Sequence, residues 1–399
     1  IWEIWRIPLR LVKPNILTSD KRLVTATWPV SCKNCCILSP PVALILVRPL
    51  TVYPTLLHFF PKKVTINTTF TAGRRRETGI RNFFIINPTA GKVDASVSLM
   101  PRIRAAAARA GIEATICVTR HAGHAREITE ACAQCGEEVR VYACGGDGTM
   151  NEVLQAAAGK EQIAVGCIPC GSGNDYVRNF GTQADFLDLD AQLAAECRQA
   201  DLIRTPQGYG IDIYAAGVDA QVANGIAKWR RVPLCGGTTA YTLSILEAVC
   251  STFRHRLRVR TDQGEQEGIY MMLAICNAQM YGGGYCAAPY ARMDDGLLDV
   301  VLLKPVPRLQ LAGLLSGYRK GRHLTPEGMV TKPFRPYMTF FRTRWIDIQV
   351  LDEKPLVTTL DGECSPQRNL HAEVARRSIR ILLPPELVRN TPVLQAMGE

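Results

Sequence analysis

Asp147 stands among three glycines, Gly145, Gly146 and Gly148, where a β-branched run gives way to a helical one within residues 139–158, VRVYACGGDGTMNEVLQAAA. That junction suits an anion. Glycine permits positive φ and close backbone approach, and successive N–H groups can converge on a ligand at the start of a helix beginning near Thr149. A carboxylate among such amides repels phosphate unless a divalent cation joins the two, so Asp147 is placed where a metal would bridge to a polyphosphate. A plain strand-to-helix turn tolerates glycine equally but does not require the aspartate.

Other turns repeat the pattern. Residues 87–92, NPTAGK, follow an apolar strand, and Asn87, Thr89 and the Lys92 ammonium suit a nucleotide or its phosphates; a solvated turn uses the same residue types. Gly171, Ser172, Gly173, Asn174 and Asp175 form a second glycine turn, in which Ser172 or Asn174 is available as a helix N-cap. Asp361-Gly362-Glu363 can aim two carboxylates in one direction, to hold metal and remove a proton, although a type I′ hairpin accounts for Asp-Gly as well. Residues 293–297, MDDGL, carry the same ambiguity between cation site and turn. The five histidines after residue 80 show no metal-helix or triad spacing, and neither a GxSxG elbow nor a GxxxxGK[ST] loop is present. The cysteine pairs 132/135 and 167/170 have metal-like spacing, but free buried thiols in a reducing cytoplasm are the favoured reading.

The elements that must position these turns alternate. Strands are expected at 83–86, 112–118, 139–144 and 163–168, with helices at 95–110, 122–134 and through 158. Such alternation predicts a parallel sheet, with every unusual turn on its carboxyl edge. After residue 206 the rhythm changes: helices at 220–230 and 238–252 precede short extended segments at 256–260, 268–277, 297–303, 338–341, 345–350 and 356–359. The expected fold is therefore α/β plus β-rich: a Rossmann-like nucleotide domain over 80–205 and an antiparallel β-sandwich domain over 206–383, with the active site in the cleft between them. Residues 379–383 and a helix from 385 are expected to return to the first domain, which would then include 384–399.

The net charge of +11 on 399 residues invites a nucleic-acid reading until it is located. Residues 1–78 hold 12 Lys/Arg against 3 Asp/Glu, whereas the remainder holds 35 against 33. No nucleic-acid partner is expected of the body. The N-terminal stretch 1–79 carries eight prolines and no sustained period, and reads as a disordered or non-native extension; its functional rival is a basic membrane-contact arm using Lys62, Lys63, Arg74, Arg75 and Arg76. The apolar run 42–47 ends at Arg48-Pro49, far short of the roughly 18 to 20 residues of a membrane span, so no transmembrane segment is expected.

Six motifs in order, NPTAGK at 87–92, GGDGTMNEV at 145–153, GSGNDYVRN at 171–179, YGGGYCAAP at 281–289, MDDGLLDV at 293–300 and DGE at 361–363, resemble the diacylglycerol kinase catalytic domain family. The likeness is to its soluble bacterial lipid kinases, related to sphingosine and ceramide kinases, and covers about residues 80–390. It implies transfer of the γ-phosphate of ATP, with Mg²⁺, to a lipid hydroxyl, most simply diacylglycerol to phosphatidic acid. Gly145, Gly146, Asp147 and Gly148 would then hold ATP phosphates and Mg²⁺, with Asn87, Lys92, Thr119, Thr149, Gly171, Ser172, Asn174 and Asp175 on the nucleotide side. Glu363 would be the base, and Asp361 would support it or the metal. Asp295, with the carbonyls of Arg292 and Leu297, would form a second, structural Mg²⁺ site. The family also implies a cytoplasmic protein working at the inner membrane face, and homodimers occur among its bacterial members. Ser172, Tyr176-Val177 and Asp212 depart from the usual Thr, Phe-Ala and Asn, which touches adenine-side detail more than catalysis. The alternatives are an NAD kinase-like enzyme, which shares the GGDGT turn, and a nucleotide- or lipid-binding regulator without turnover.

Overall fold

The computed structural model describes residues 80–91, 93–135, 138–171, 173–217, 225, 254–390 and 394, which fall in one compact unit running from Pro54 to Glu399. Lys92, Ser172, the expected helices at 220–230 (apart from Gly225) and 238–252, and the stretch 1–79 with its basic arm lie outside the described residues.

The first lobe is built from β1 (Arg81–Ile86), α1 (Ala95–Ala110), β2 (Ala114–Val118), α2 (His124–Cys132), β3 (Val139–Gly145), α3 (Asp147–Ala157) and β4 (Ile163–Pro169). β1 pairs in parallel with β2 and β3, and β3 with β4. Both faces of this sheet are covered, so its central strands hold apolar residues on both sides: Val141 and Ala143 enter one core cluster, while Tyr142 and Cys144 enter the cluster on the opposite face. Local signals set the helix ends. Asp94 caps α1 by accepting from Ser96 N–H, and Gly111 ends it in the left-handed region at φ 65°.

Three short helices, α4 (Asp175–Arg178), α5 (Gln183–Leu187) and α6 (Leu189–Leu193), lead into β5 (Glu196–Thr205), β6 (Gly208–Gly210) and β7 (Ile213–Gly217). The chain continues through β8 (His255–Thr261), β9 (Gly264–Tyr270), β10 (Met272–Cys276), β11 (Met280–Tyr281), β12 (Tyr285–Cys286) and β13 (Leu298–Leu303). α7 (Arg308–Arg319), β14 (Met338–Thr343), β15 (Trp345–Val350), β16 (Leu356–Leu360), β17 (Glu363–Gln367), β18 (Asn369–Leu383) and α8 (Pro385–Asn390) complete it. A six-stranded antiparallel sheet runs β14-β13-β10-β7-β16-β17. It packs against the strands β15 and β8 through a layer that includes Tyr214, Leu273, Ile275, Val300, Ile346 and Ile348.

The two lobes share a sheet. β18 pairs antiparallel with β15 over Asn369 to Glu373 and parallel with β4 at Arg380 and Ile381, so one sheet runs β2-β1-β3-β4-β18-β15-β8-β9. The expected strand at 379–383 is the end of this 15-residue strand. The expected strand at 268–277 breaks at Met271, because β9 and β10 belong to different sheets. β5 was not foreseen: Arg198, Gln199, Asp201 and Arg204 interrupt its apolar pattern, although Asp201 is buried for a reason given below. α7 was also missed, since Gly313 and Gly317 weaken a helical signal that its leucines otherwise carry.

Ile348 is 1% exposed in the layer between the sheets. Ile348→Ala is expected to cost about 2–5 kcal/mol of unfolding free energy through lost transfer energy and the residual cavity, read as a lower urea midpoint at unchanged slope.

Candidate active site

The strand-end turns converge. A cleft of about 610 Å³ is lined by Asn87 and Gly91 after β1, Thr119 and His121 after β2, Gly146, Asp147 and Thr149 after β3, Gly171 and Gly173 after β4, and Asp361, Gly362 and Glu363 from the β16–β17 hairpin. The first four turns come from the carboxyl edge of the parallel sheet and the last from the β-rich lobe.

Glycine serves here by absence of a side chain. Gly145, Gly146 and Gly148 do not adopt the expected positive φ, and Gly146 is extended at φ −100°. A Cβ on Gly145 would collide with the Thr149 side chain, and one on Gly173 with the Asp147 carboxylate. A Cβ on Gly171 would lie 2.6 Å from Gly146 Cα, so the second glycine turn approaches the first this closely only with hydrogen at Gly171.

Asp147 ties these turns together. Its two carboxylate oxygens accept from Asn174 N–H at 2.9 Å and Asp175 N–H at 2.7 Å. Asn174 does not cap α4 with its side chain; it sits in the left-handed region at φ 54° and donates Nδ2–H to Gly171 O at 2.7 Å. Asn87 donates Nδ2–H to Thr149 Oγ1 at 3.1 Å, while its Oδ1 accepts from Thr89, so this side chain locks the first turn to α3. Glu152, one α3 turn further on, accepts from Gly123 and Ala125 N–H at 2.7 and 3.0 Å and fixes the start of α2. Sequence reasoning had given Glu152 no structural role; its carboxylate meets a helix N-terminus, where the backbone amides are otherwise unpaired.

The hairpin opposite is held by Asp361. Its Oδ2 accepts from Ile211 N–H at 2.6 Å, and its Oδ1 from Asp212 and Ile213 N–H at 3.1 and 2.8 Å. Asp361 and Gly362 have φ of 46° and 95°, so the tight hairpin and the paired carboxylates coexist. Glu363 is exposed at the start of β17, on the cleft wall. The two lobes are further joined by Asn179, whose Oδ1 accepts from Gln279 and Met280 N–H while its Nδ2 donates to the buried Asp212 at 3.0 Å.

Four carboxylates are thus gathered beside the cleft. Burial raises Asp147 above the usual carboxylate range. Burial and then the neighbouring Asp147 charge push Asp175 up to about 6; its Oδ1 accepts from Gly283 N–H at 2.8 Å. Burial pushes Asp361 to about 6 against the pull of its three amides, and burial followed by the Asp361 charge drives Asp212 well up. Desolvated, mutually repelling oxygen donors fit a hard divalent cation such as Mg²⁺, which would relieve both costs.

Asp295 is not among the residues that line the cleft. Its Oδ1 accepts from Leu297 N–H at 3.0 Å, and burial raises its pKa, while Arg292 pairs through its side chain with Asp294 at 2.9 Å. The turn is anchored by Asp201, which is 1% exposed and accepts from Gly296 N–H at 2.7 Å and Arg377 N–H at 2.6 Å. Arg377 occupies the irregular stretch of β18 at φ 47°, so Asp201 binds this turn to the strand that links the lobes. Among the described residues, His121, His124 and Glu127 also cluster, which the spacing had not suggested. His124 Nδ1 accepts from Arg120 N–H at 3.1 Å, which places the ring proton on Nε2 and removes that nitrogen as a metal ligand.

Residues 81–205 match the diacylglycerol kinase catalytic domain, and residues 212–383 match the YegS C-terminal NAD kinase beta sandwich-like domain. A Shewanella frigidimarina protein named "Probable lipid kinase YegS-like" is 31% identical over 67% of this chain and 84% of its own length. A Staphylococcus carnosus protein named "Diacylglycerol kinase" is 23% identical over 78% of this chain and 97% of its own. The crystal structure of a diacylglycerol kinase from Bacillus anthracis superposes with a TM-score of 0.56 at 17% identity, covering 77% of this chain and 98% of that one, and shares the fold. A nucleotide-type parallel lobe closed by a β-rich lobe is the class; within it, the chain belongs to the YegS-like lipid kinases of the diacylglycerol kinase family.

Because Asp175 and Asp361 are protonated below about 6 and ionised above it, cation binding should strengthen as pH rises through that value. Their raised folded-state pKa stabilises the apo protein below the ordinary aspartate range, and this contribution is lost as pH rises through about 6. Saturating Mg²⁺ is expected to raise the melting temperature more on the alkaline side of that window than on the acid side. Equal shifts on both sides, read by differential scanning fluorimetry, would remove the carboxylate group from cation binding.

Proposed function

We propose that this chain transfers the γ-phosphoryl group of ATP to the hydroxyl of a lipid alcohol, with diacylglycerol as acceptor and phosphatidic acid as product. The observation that carries the proposal is that Asp147 of the parallel lobe and Glu363 of the β-rich lobe line the same cleft. The relative named "Diacylglycerol kinase" supports this choice of acceptor.

Each residue then has a task. Glu363 takes the proton of the lipid hydroxyl as that oxygen bonds to the γ-phosphorus and the bond to the β–γ bridging oxygen breaks, releasing ADP. Asp361 is a positioning residue: its three amide contacts fix the hairpin that presents Glu363. The amides at the start of α3, with Asn87, Thr119 and Thr149, hold the phosphates, and Lys92 and Ser172 are assigned to the nucleotide from their sequence motifs alone. Gly171, Asn174 and Asp175 keep the second glycine turn against Asp147. Mg²⁺ held by Asp147 would supply charge neutralisation on the triphosphate. A second Mg²⁺ at Asp295, with the carbonyls of Arg292 and Leu297, would stiffen the turn that Asp201 anchors. Among the described residues no helix is long and apolar enough to cross a membrane. The proposal accordingly has the enzyme meet its acceptor at the cytoplasmic membrane surface, as a monomer or a homodimer.

Glu363 is exposed, so Glu363→Gln should fold normally and lose about 10²–10⁴-fold in turnover. Asp147→Asn keeps an acceptor for one of the two amides and should lose activity by at least as much. Labelled ATP with a panel of lipid alcohols, alongside circular dichroism of each variant, makes the test. Near-normal turnover in a folded Glu363→Gln variant sinks the assigned base.

A further inference from the structure

The basic charge of the body is segregated. Residues 304–337 contain seven Lys/Arg and one Glu, a net charge of +6, whereas 79–399 as a whole reach only +2. The rest of the body is therefore net −4. All seven cations of this stretch are exposed.

At its centre lies α7. Leu311, Leu314 and Leu315 pack, together with the buried Tyr318, against the outer face of the six-stranded sheet. At 100° per residue the opposite side of the helix presents Leu309, Ala312, Gly313 and Ser316. Leu309 is 92% exposed, and Met329 in the following loop is 55% exposed. Arg308, Arg319 and Lys320 flank this outward face.

We propose that α7 and the loops after it form the face by which the protein docks on an anionic bilayer, resting on the reading of this chain as a kinase of lipid acceptors. The composition is that of an interfacial helix: an apolar projection for the acyl boundary, small residues that let the helix axis approach, and flanking cations for anionic headgroups. A second copy of the chain would set +6 against +6. A nucleic acid would satisfy the cations but give Leu309 nothing to bury in.

The face is also wired to the cleft. Asp147 binds the amide of Asp175, whose carboxylate binds Gly283 in the β11–β12 hairpin. In that hairpin Tyr281 OH meets Tyr318 OH of α7 at 3.3 Å, and the Arg319 guanidinium lies 5.5 Å from the Tyr285 ring centroid. Docking on α7 therefore places the membrane two contacts from the glycine turn that Asp147 grips.

The test is co-sedimentation of the full chain with vesicles of phosphatidylcholine alone and of phosphatidylcholine mixed with phosphatidylglycerol, at low and high salt. Wild type should bind the mixed vesicles in a salt-sensitive manner. Leu309→Glu and the double variant Arg308→Glu/Lys320→Glu should each lose about tenfold or more in partition, with unchanged thermal melts. Leu309→Trp should bind at least as well as wild type. Turnover on a short-chain diacylglycerol dispersed in detergent should be the same in all variants, which separates docking from chemistry. If no lipid alcohol is phosphorylated, the kinase reading fails while the vesicle result still decides the docking face. Wild-type partition in both charge-altered variants overturns the proposal. So does a loss confined to a control carrying Arg74→Ala, Arg75→Ala and Arg76→Ala, or a loss seen for duplex DNA instead of vesicles.

Discussion

The site depends on one carboxylate that serves two turns. Asp147 begins α3 and accepts from the amides of Asn174 and Asp175, which begin α4. That contact draws the second glycine turn over the first. It also buries a negative charge among Asp175, Asp212 and Asp361, each of which it repels. Partial compensation by amides leaves the cluster electrostatically unsatisfied, the condition in which a cation contributes most.

The second constraint is mechanical. On the proposed mechanism, Glu363 of one lobe serves a phosphate held by the other only if the lobes keep register. β18 supplies this by pairing with β4 at one end and β15 at the other. Asp201 fixes its irregular middle, and Asn179 clips α4 to the start of the β11 hairpin. Backbone hydrogen bonds in a continuous sheet resist lobe movement more than side-chain contacts across an interface would. The cleft is thus lined from two sheets, the one that β18 makes continuous between the lobes and the six-stranded one that packs on its far end.

The strands and helices of the parallel lobe were legible because burial on both faces demands largely apolar runs, as in residues 83–86 and 141–144, and glycine turns punctuate them. The β-rich lobe was less so. The pair β9–β10 read as one strand because nothing local at Met271 shows that the chain changes sheets there. β5 hid behind Asp201, a buried carboxylate whose partners, Gly296 and Arg377, are 95 and 176 residues away in sequence. The glycines of the two turns matter for a reason that no local rule shows: none of Gly145, Gly146 and Gly148 has a positive φ, and a side chain is excluded at Gly145 by Thr149, at Gly171 by Gly146 and at Gly173 by Asp147.

Sequence alone determined which chemical groups exist and the order in which they emerge: glycine turns at strand ends, an aspartate at a helix start, a DGE hairpin far along the chain. These follow from local backbone rules, which act over a few residues. Tertiary structure decided which groups meet. Asp147 and Glu363, 216 residues apart in sequence, line one cleft. Asp361 becomes an anchor because the amides of residues 211–213 arrive beside it. Leu311, Leu314, Leu315 and Tyr318 of α7 are covered by the six-stranded sheet while Leu309 stays exposed. Long-range pairing is set by the summed packing of whole sheets, and no short window of sequence carries that sum.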